Sequence, residues 1–289
     1  MPILNLGSAN IDHVYEVEHF VRPGETLSSS GYEIFAGGKG FNQSVALARA
    51  GAQTFHAGRI GRDASWLVEW LQKEGIDTTH LHETDTPTGH AMIQVEPSGE
   101  NAIVLHSGAN QTITDADIHA ACAALSEGDT LLVQNETNLI TEAIQAAHDR
   151  NMRIVFNPAP MTSAVRDYPL HLVDLFVLNK TEAEGLTGET DPDAICPKML
   201  AQYPDAAVVL TLGSKGAIYF DAQAFHQEPV PAVNAIDTTA AGDTFIGFFL
   251  AELMQSNDPA KALSQGCRAT SICVTRTGAA DSIPLLSEL

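Results

Sequence analysis

The chain has 289 residues and a formal net charge of −21, from 36 acidic and 15 basic residues. This acidic balance argues against nucleic acid or an anionic membrane as a partner, but not against a nucleotide held by local N–H groups. The 44% hydrophobic content predicts a packed core, and no apolar run approaches the roughly 20 residues that a membrane-spanning helix needs.

The first predicted elements mix a strand, a helix and two short β segments. Ile3–Gly7 is a predicted strand, and Lys39–Ala50 is a predicted helix with Gly51 at its C-terminal end. The segments Thr26–Phe35 and Gly89–Leu105 have strand patterns without intervening helices, and the second contains a turn typical of a hairpin. These two segments predict a small β lid, which would exclude water from a phosphoryl-transfer site.

From residue 115 onward, buried strands alternate with helical patterns. The predicted helices are Asp115–Leu125, Thr141–Arg150 and Ala194–Gln202, and the predicted strands are Thr130–Gln134, Arg153–Phe156, Leu175–Leu178 and Ala207–Leu212. Such alternation predicts an α/β fold with a doubly wound, mostly parallel sheet flanked by helices. We expect a single domain over residues 1–289, with lid segments at about 10–36 and 89–106 inserted.

Cysteine usage and the first residues bear on the cellular compartment. The four cysteines show neither C-x-x-C pairing nor a spacing with histidine that suits zinc. The start of the chain lacks the basic and apolar regions of a secretory signal. Both features predict reduced thiols in a cytoplasmic protein.

The segment Asp237–Phe245 carries the strongest functional pattern. Asp243 directly follows a turn of small residues and directly precedes an apolar helical run. Such a turn directs unpaired N–H groups and the positive end of a helix dipole at one spot, which suits a phosphate. A carboxylate at that spot could take a proton from an attacking hydroxyl. The alternative is an ordinary helix cap after an ordinary turn.

Polar residues near other strand ends suit a hydroxyl-rich ligand. Lys39 and Asn42 follow a glycine turn that includes Gly38 and lacks the spacing of a Walker A loop. Asn10 and Asp12 follow the first strand, and Glu136 follows the strand Thr130–Gln134. Each residue alone is more typical of turn chemistry, but together they supply donors and acceptors at one predicted sheet edge.

Three later segments are candidates for nucleotide and cation sites. Asn179 and Glu182 could hold hydrated Mg²⁺ near phosphates, or could form a capping box. The glycine-rich turn Thr211–Gly216 is compatible with backbone contacts to a nucleotide. The loop Cys273–Gly278, together with Ser282, could ring a monovalent cation with carbonyl oxygens.

Together these motifs resemble the ribokinase branch of the ribokinase/phosphofructokinase-B family of sugar kinases. The resemblance spans essentially the whole chain and preserves the order of the motifs. The two most specific signatures surround Gly37–Gln43 and Asp237–Phe245. The other matching segments are Gly7–Asp12, Pro23–Thr26, Gly108–Asn110, Asn157–Pro160, Asn179–Glu184 and Thr211–Gly216.

The resemblance implies a role for each matching position. Asp243 would be the catalytic base, and the backbone N–H groups of Ala240, Ala241, Gly242 and Asp243 would form the anion hole. Sugar contacts are implied for Asn10, Asp12, Gly38, Lys39, Asn42 and Glu136. ATP and Mg²⁺ contacts are implied for Asn179, Glu182, Thr211, Gly213, Lys215, Gly216, Gly242 and Cys267, the last at a position often polar in the family. An activating K⁺ would lie near Asp237, Thr239, Cys273, Arg276, Gly278 and Ser282.

The implied activity is ATP-dependent phosphorylation of the primary hydroxyl (O5) of ribose or a similar sugar. The resemblance also implies a homodimer formed through the lid. A nucleoside kinase of the same superfamily is an alternative, and it would need a larger apolar acceptor pocket. A sugar- or nucleotide-binding regulator without catalysis is a second alternative, although the intact Asp243, Gly242, Lys39 and Glu182 speak against it.

Overall fold

The computed structural model describes residues 1–289 as thirteen strands and eight α-helices. The strands are β1 Ile3–Leu6, β2 Asn10–Glu16, β3 Gly31–Gly37, β4 Thr54–Gly61, β5 Asp77–Thr84, β6 Gly89–Val95, β7 Asn101–His106, β8 Thr130–Gln134, β9 Arg153–Asn157, β10 Leu175–Asn179, β11 Ala207–Thr211, β12 Ala217–Phe220 and β13 Phe225–Glu228. The helices are α1 Lys39–Arg49, α2 Ser65–Lys73, α3 Asp115–Ala123, α4 Ile140–His148, α5 Lys180–Thr187, α6 Pro192–Gln202, α7 Ala241–Ser256 and α8 Pro259–Cys273. None of these helices combines the length and the apolar character needed to cross a bilayer.

Nine strands form the central sheet in the order β13-β12-β11-β10-β9-β8-β1-β4-β5. All neighbouring pairs from β5 to β11 are parallel, and β12 and β13 add two antiparallel pairs at one edge. The predicted α/β fold with a mostly parallel sheet is therefore confirmed. The predicted strands and helices from residue 115 onward match the observed ones to within two residues at each end.

Helices cover both faces of the sheet because the central strands are apolar on both sides. Within β8, Leu131 and Val133 join a core cluster with α3, α4, α5 and α6, whereas Leu132 joins a cluster with α7 and α8. A third cluster packs α1 and α2 against α7. Strands buried on both faces carry continuous apolar runs, which is why the sequence pattern identified them.

A second sheet of four strands, in the order β3-β2-β6-β7, forms the lid. Its base is a row in which Asn10 of β2 pairs with Gly37 of β3 and with Gly89 of β6. The sequence pattern placed no strand at β2 and began the neighbouring strand at residue 26. The observed β3 begins at Gly31 because β2 ends at its register partner Glu16, which leaves residues 26–30 without a strand to pair with.

Between residues 54 and 84 the sequence patterns gave no elements, yet the structure contains β4, α2 and β5. The inward-facing positions of β4 include His56 and Gly58, so the strand lacks a continuous apolar run. In β5, Leu81 is the one buried residue, as expected for an edge strand. The apolar pattern is therefore too weak in this region to identify strands that the sheet itself stabilises.

Helices α1 and α7 cross at very short range at Gly247. A Cβ atom on Gly247 would lie 2.3 Å from Cβ of Ala46 and 2.7 Å from the backbone N of Leu47. Only glycine permits this approach without displacing one helix. As a result, the first turn of α1 lies against the first turn of α7, where the candidate catalytic residues are found.

Candidate active site

Polar side chains line up at the carboxyl ends of four neighbouring parallel strands. Gln134 at the end of β8 pairs in register with Asn157 of β9, and Asn179 at the end of β10 pairs with Thr211 of β11. Asn157, Asn179 and Thr211 line a cavity of about 230 Å³. The carboxyl edge of an open parallel sheet is where ligands bind in such folds.

The first turn of α7 forms the opposite wall of this cavity. Ala240 has a left-handed backbone conformation (φ 57°), and α7 begins at the next residue. The backbone N–H groups of Ala240, Gly242 and Asp243 form no hydrogen bond within the chain, whereas that of Ala241 donates to Thr238 O at 3.2 Å. Three free donors at a helix N-terminus suit the binding of an anion.

Asp243 is the third residue of α7, so it is not the helix cap that the alternative interpretation required. Its carboxylate is buried, with 8% of the residue exposed, and it lines the cavity. Asn42 Nδ2 donates to Oδ2 at 3.1 Å, and Gln43 Nε2 donates to Oδ1 at 2.8 Å. The close crossing of α1 and α7 thus places two amide donors on the candidate base.

Lys39, the first residue of α1, faces the same cavity. The carboxylate of Asp243, with further contributions from Glu136 and Glu182, raises the pKa of Lys39 despite its burial. The side chain therefore stays protonated and supplies the one cation among these carboxylates. Its backbone N–H donates to Glu136 Oε2 at 2.9 Å.

That hydrogen bond links the larger cavity to a smaller one of about 90 Å³ beneath the lid. Asn10 and Glu136 line the smaller cavity together with Leu105 of the lid strand β7. Asn110 also lines it and donates to Asn10 Oδ1 at 2.7 Å. The smaller cavity therefore combines amide and carboxylate groups, which suits a polyhydroxylated ligand.

Asn179 and Glu182 form a reciprocal capping box at the start of α5, as the structural alternative predicted. Both residues also line the larger cavity. Burial raises the pKa of Glu182, and hydrogen bonds from Asn179 and the charge of Lys39 oppose that rise. An amide and a carboxylate oxygen at the cavity wall are ligands that suit Mg²⁺, so the residues present fit that ion.

The residues predicted to surround a monovalent cation gather next to the first turn of α7. Asp237 accepts hydrogen bonds from the N–H groups of Thr239 (2.8 Å) and Gly278 (3.0 Å). Cys273 Sγ lies 3.1 Å from Ser282 Oγ and accepts from Thr244 Oγ1 at 3.2 Å. The loop offers hydroxyl, carbonyl and carboxylate oxygens, which fit a hard cation. The side chain of Arg276 is instead turned to Glu288.

The structure brings ten of the predicted residues to the two cavities: Asn10 and Glu136 line the smaller one, and Lys39, Asn179, Glu182, Thr211 and residues 240–243 line the larger one. Asn42 contacts the site through Asp243, and Gly38 caps α1 directly above Ser8. Cys267 is 1% exposed within the core and lines neither cavity, so its contact with a nucleotide stays a prediction. The remaining residues that line neither cavity are Asp12, Gly213, Lys215, Gly216 and the predicted cation-binding set.

Sequence reasoning assigned no role to several residues that the structure places in or against the site. Asn157 and Thr238 line the larger cavity, and Asn110 lines the smaller one. Asn157 ends β9 just as Asn179 ends β10, so its position after an apolar strand was an available signal. Gln43 ends the Gly37–Gln43 signature but was given no role, because it follows no strand end and lies within a buried stretch of α1.

Comparisons with known proteins bear on the family and the fold of the chain. The model of the pfkB family carbohydrate kinase matches residues 3–286. A ribokinase of Haemophilus influenzae is 40% identical, over 98% of this chain and 95% of that protein. A ribokinase structure from Thermotoga maritima superposes with a TM-score of 0.88 at 34% identity, covering 100% of this chain and 97% of that one. An Arabidopsis thaliana ribokinase complexed with ribose and ATP has a TM-score of 0.88 at 27% identity, covering 99% and 96%.

Asp12 is the next residue after Asn10 on the same face of β2, and it packs against Gly37. A Cβ atom on Gly37 would lie 2.1 Å from Asp12 Oδ2, so the glycine makes room for the carboxylate. Burial and the charge of Glu136 raise the pKa of Asp12 from 3.8 to about 6. The ionised form of Asp12 is therefore less favourable in the folded chain than in the unfolded chain.

We expect Asp12→Asn to stabilise the ligand-free protein at neutral pH and to have little effect below pH 4. Between its unfolded and folded pKa values, the folded chain keeps a proton that the unfolded chain releases, so wild-type stability falls as pH rises. The difference between 3.8 and about 6 sets an upper limit of about 3 kcal/mol on the gain. Urea unfolding of both proteins from pH 4 to 8 measures it, and a difference that is independent of pH would contradict the assigned cause.

Proposed function

The chain belongs to the pfkB family of carbohydrate kinases, and on that premise we propose that it transfers the γ-phosphoryl group of ATP to the primary hydroxyl (O5) of ribose or a closely similar sugar. The observation that carries the proposal is the buried carboxylate of Asp243 beside three unpaired backbone N–H groups at the start of α7. The curated relatives named ribokinase, and the relative bound to ribose and ATP, support the choice of substrates. The whole chain would act as one kinase domain with the β lid inserted.

In this reaction Asp243 takes the proton of the attacking hydroxyl. The sugar oxygen forms a bond to the γ-phosphorus, the bond from that phosphorus to the bridging oxygen breaks, and ADP leaves. The N–H groups of Ala240, Gly242 and Asp243 donate to the phosphoryl oxygens as negative charge develops on them. The positive end of the α7 dipole acts in the same direction.

The remaining residues position the two substrates. The sugar hydroxyls would bind Asn10, Asp12, Asn42 and Glu136, with Gly38 allowing the α1 backbone to approach closely. Lys39 lies between the two cavities and would contact both the sugar and the transferring phosphoryl group. The nucleotide would extend from Asn179 and Thr211 along the turn that contains Gly213, Lys215 and Gly216. Mg²⁺ would be held through water near Asn179 and Glu182, where it would neutralise phosphate charge.

Asp243→Asn tests the assigned base. The amide keeps the shape of the carboxylate but cannot accept the proton, so we expect kcat to fall by about 10²- to 10⁴-fold. The KM values for ATP and ribose should change little, because the N–H donors and the sugar contacts remain. Retention of most of the wild-type turnover by this folded variant would show that Asp243 is not the base.

The acceptor assignment is tested with ribose, deoxyribose, fructose and adenosine at matched ATP and Mg²⁺. We expect ribose to give the highest kcat/KM, because the smaller cavity is polar and holds only about 90 Å³. Adenosine exceeding every free sugar would favour the nucleoside kinase alternative. Tight sugar or nucleotide binding without release of ADP would favour the non-catalytic regulator.

We also propose that K⁺ occupies the loop around Asp237, Thr239, Cys273, Arg276, Gly278 and Ser282, with Arg276 contributing its backbone. A cation there would supply positive charge beside the anion hole and order the loop that precedes α7. We expect turnover to be several-fold higher in K⁺ than in Na⁺ at equal ionic strength. In Asp237→Asn the two rates should converge, because the charged ligand is lost. Equal wild-type rates in both salts would refute the cation site.

We propose that the protein works in the cytoplasm, in keeping with its four free cysteines.

We also propose that the lid is the interface of a homodimer. Ile34, Met92, Ile103, Val104 and Leu105 are all about half exposed or more on the lid strands. Ile34, Met92 and Val104 lie in one register row and therefore on one face of the lid, whereas Ile103 and Leu105 lie on the opposite face. Exposed apolar side chains of this kind are typical of an interaction surface.

We expect the wild type to sediment as a dimer and an I103E/V104E double variant as a monomer. These two residues are adjacent in β7, so the double variant places one negative charge on each face of the lid. Phe225→Glu is the matched control, since Phe225 is an equally exposed apolar residue on the distant strand β13. A monomeric wild type would exclude the dimer.

A further inference from the structure

A chain of three buried side-chain amides leads to the carboxylate of Asp243 from behind the site. Gln43 Nε2 donates to Asp243 Oδ1 at 2.8 Å, and Gln43 Oε1 accepts from Gln134 Nε2 at 2.8 Å. Gln134 Nε2 also donates to Asn5 Oδ1 at 2.8 Å. All three amide residues are at most 1% exposed.

The orientation of each amide is fixed because both protons of every NH₂ group are used. Gln43 Nε2 has a second acceptor in Asn157 Oδ1 at 3.1 Å. Asn5 Nδ2 donates to Gly40 O (2.7 Å) and to Ser44 Oγ (2.8 Å), both in α1. Reversing Gln43 would place its carbonyl oxygen against the carboxylate of Asp243, which is repulsive. The amide groups of Gln43 and Gln134 therefore point their positive NH₂ ends toward Asp243. Asn5 is oriented the other way, and its Oδ1 holds the NH₂ group of Gln134 in place.

No cation stands behind this chain. Beyond Asn5 and Ser44, the next group is His56, whose Nδ1 lies 2.8 Å from Ser44 Oγ. Burial lowers the pKa of His56 to about 4, so the ring is neutral at physiological pH. The cation of the site, Lys39, lies in front of Asp243 in the cavity where the substrates would bind. Behind the Asp243 carboxylate, a neutral amide rather than a cation donates the hydrogen bond.

We propose that Gln43 is a positioning residue for the reaction: held in place by Gln134 and Asn5, it fixes the rotation of the Asp243 carboxylate. Together with Asn42 on Oδ2, it occupies one acceptor position on each carboxylate oxygen and leaves another free for a substrate hydroxyl. It also orients Asn157, which lines the cavity. This inference rests on the proposed role of Asp243 as the base.

The first test is Gln43→Met, which keeps the length of the side chain but removes its hydrogen bonds. We expect kcat to fall by about 10- to 100-fold, as befits the loss of a hydrogen bond to a charged group. KM for ATP and for ribose should stay within about threefold, because the residues proposed to bind the two substrates are unchanged. Gln145→Met is the matched control, since Gln145 also donates to an aspartate at 2.8 Å, on the exposed face of α4. It should keep wild-type kcat.

Ligand stoichiometry distinguishes positioning from misfolding. Titration of Gln43→Met with ribose and a non-hydrolysable ATP analogue should still show one equivalent bound per chain. A fall in kcat that is matched by an equal fall in bound ligand would mean a purely structural role and would overturn the proposal. Wild-type kcat in this variant would overturn it as well.

Gln43→Glu adds a pH readout that a structural role would not produce. At high pH the introduced carboxylate repels Asp243, whereas at lower pH one proton shared by the pair restores a donor in the same place. We expect the ratio of variant to wild-type kcat to rise as pH falls from 8 to 5.5. A ratio independent of pH would overturn the proposal. If Asp243→Asn were active, the proposed function itself would fail, whichever result the Gln43 variants gave.

Discussion

The crossing of α1 over α7 is the contact on which the site depends. The two helices approach so closely at Gly247 that their first turns lie side by side. One turn supplies Lys39, Asn42 and Gln43, and the other supplies Asp243 and the free N–H groups. These parts are separated by about two hundred residues of sequence, and no local preference could bring them together. A glycine in the middle of a helix is destabilising on its own, so its place here reflects packing rather than helix formation.

The electrostatics of the site differ from those of the whole chain. A protein with a formal charge of −21 would repel a triphosphate at long range. At the candidate site, the groups available to attract a phosphate carry little or no net charge: unpaired backbone N–H donors and the positive end of a helix dipole. Lys39 adds the one nearby cation and is kept protonated by the carboxylates around it. Asp243 itself is buried, and short-range hydrogen bonds to a buried group act strongly because the local dielectric constant is low.

Sequence patterns predicted the parts of the fold in which local and global signals agree. The buried strands β8 to β11 carry continuous apolar runs, and the predicted helices between them are amphipathic, so their period and boundaries were available. The strands β2, β4 and β5 were missed because their stability comes from pairing with neighbours rather than from apolar content. In the site, Asp243 and Lys39 were identified from turns and chemistry. Gln43 was not, because only the tertiary structure shows that its helix face meets a carboxylate.

The lid sheet also contains two of the residues proposed to bind the sugar. Asn10 and Asp12 belong to β2, a strand of the lid sheet, and the row that joins Asn10 to Gly37 and Gly89 is also the lower border of that sheet. The surface that would shield the ligand and two of the residues proposed to bind it therefore belong to one sheet. A tilt of this sheet would move the cover of the cavity and the proposed ligand-binding residues together. A ligand too small to contact those residues would therefore also leave the cavity open to solvent.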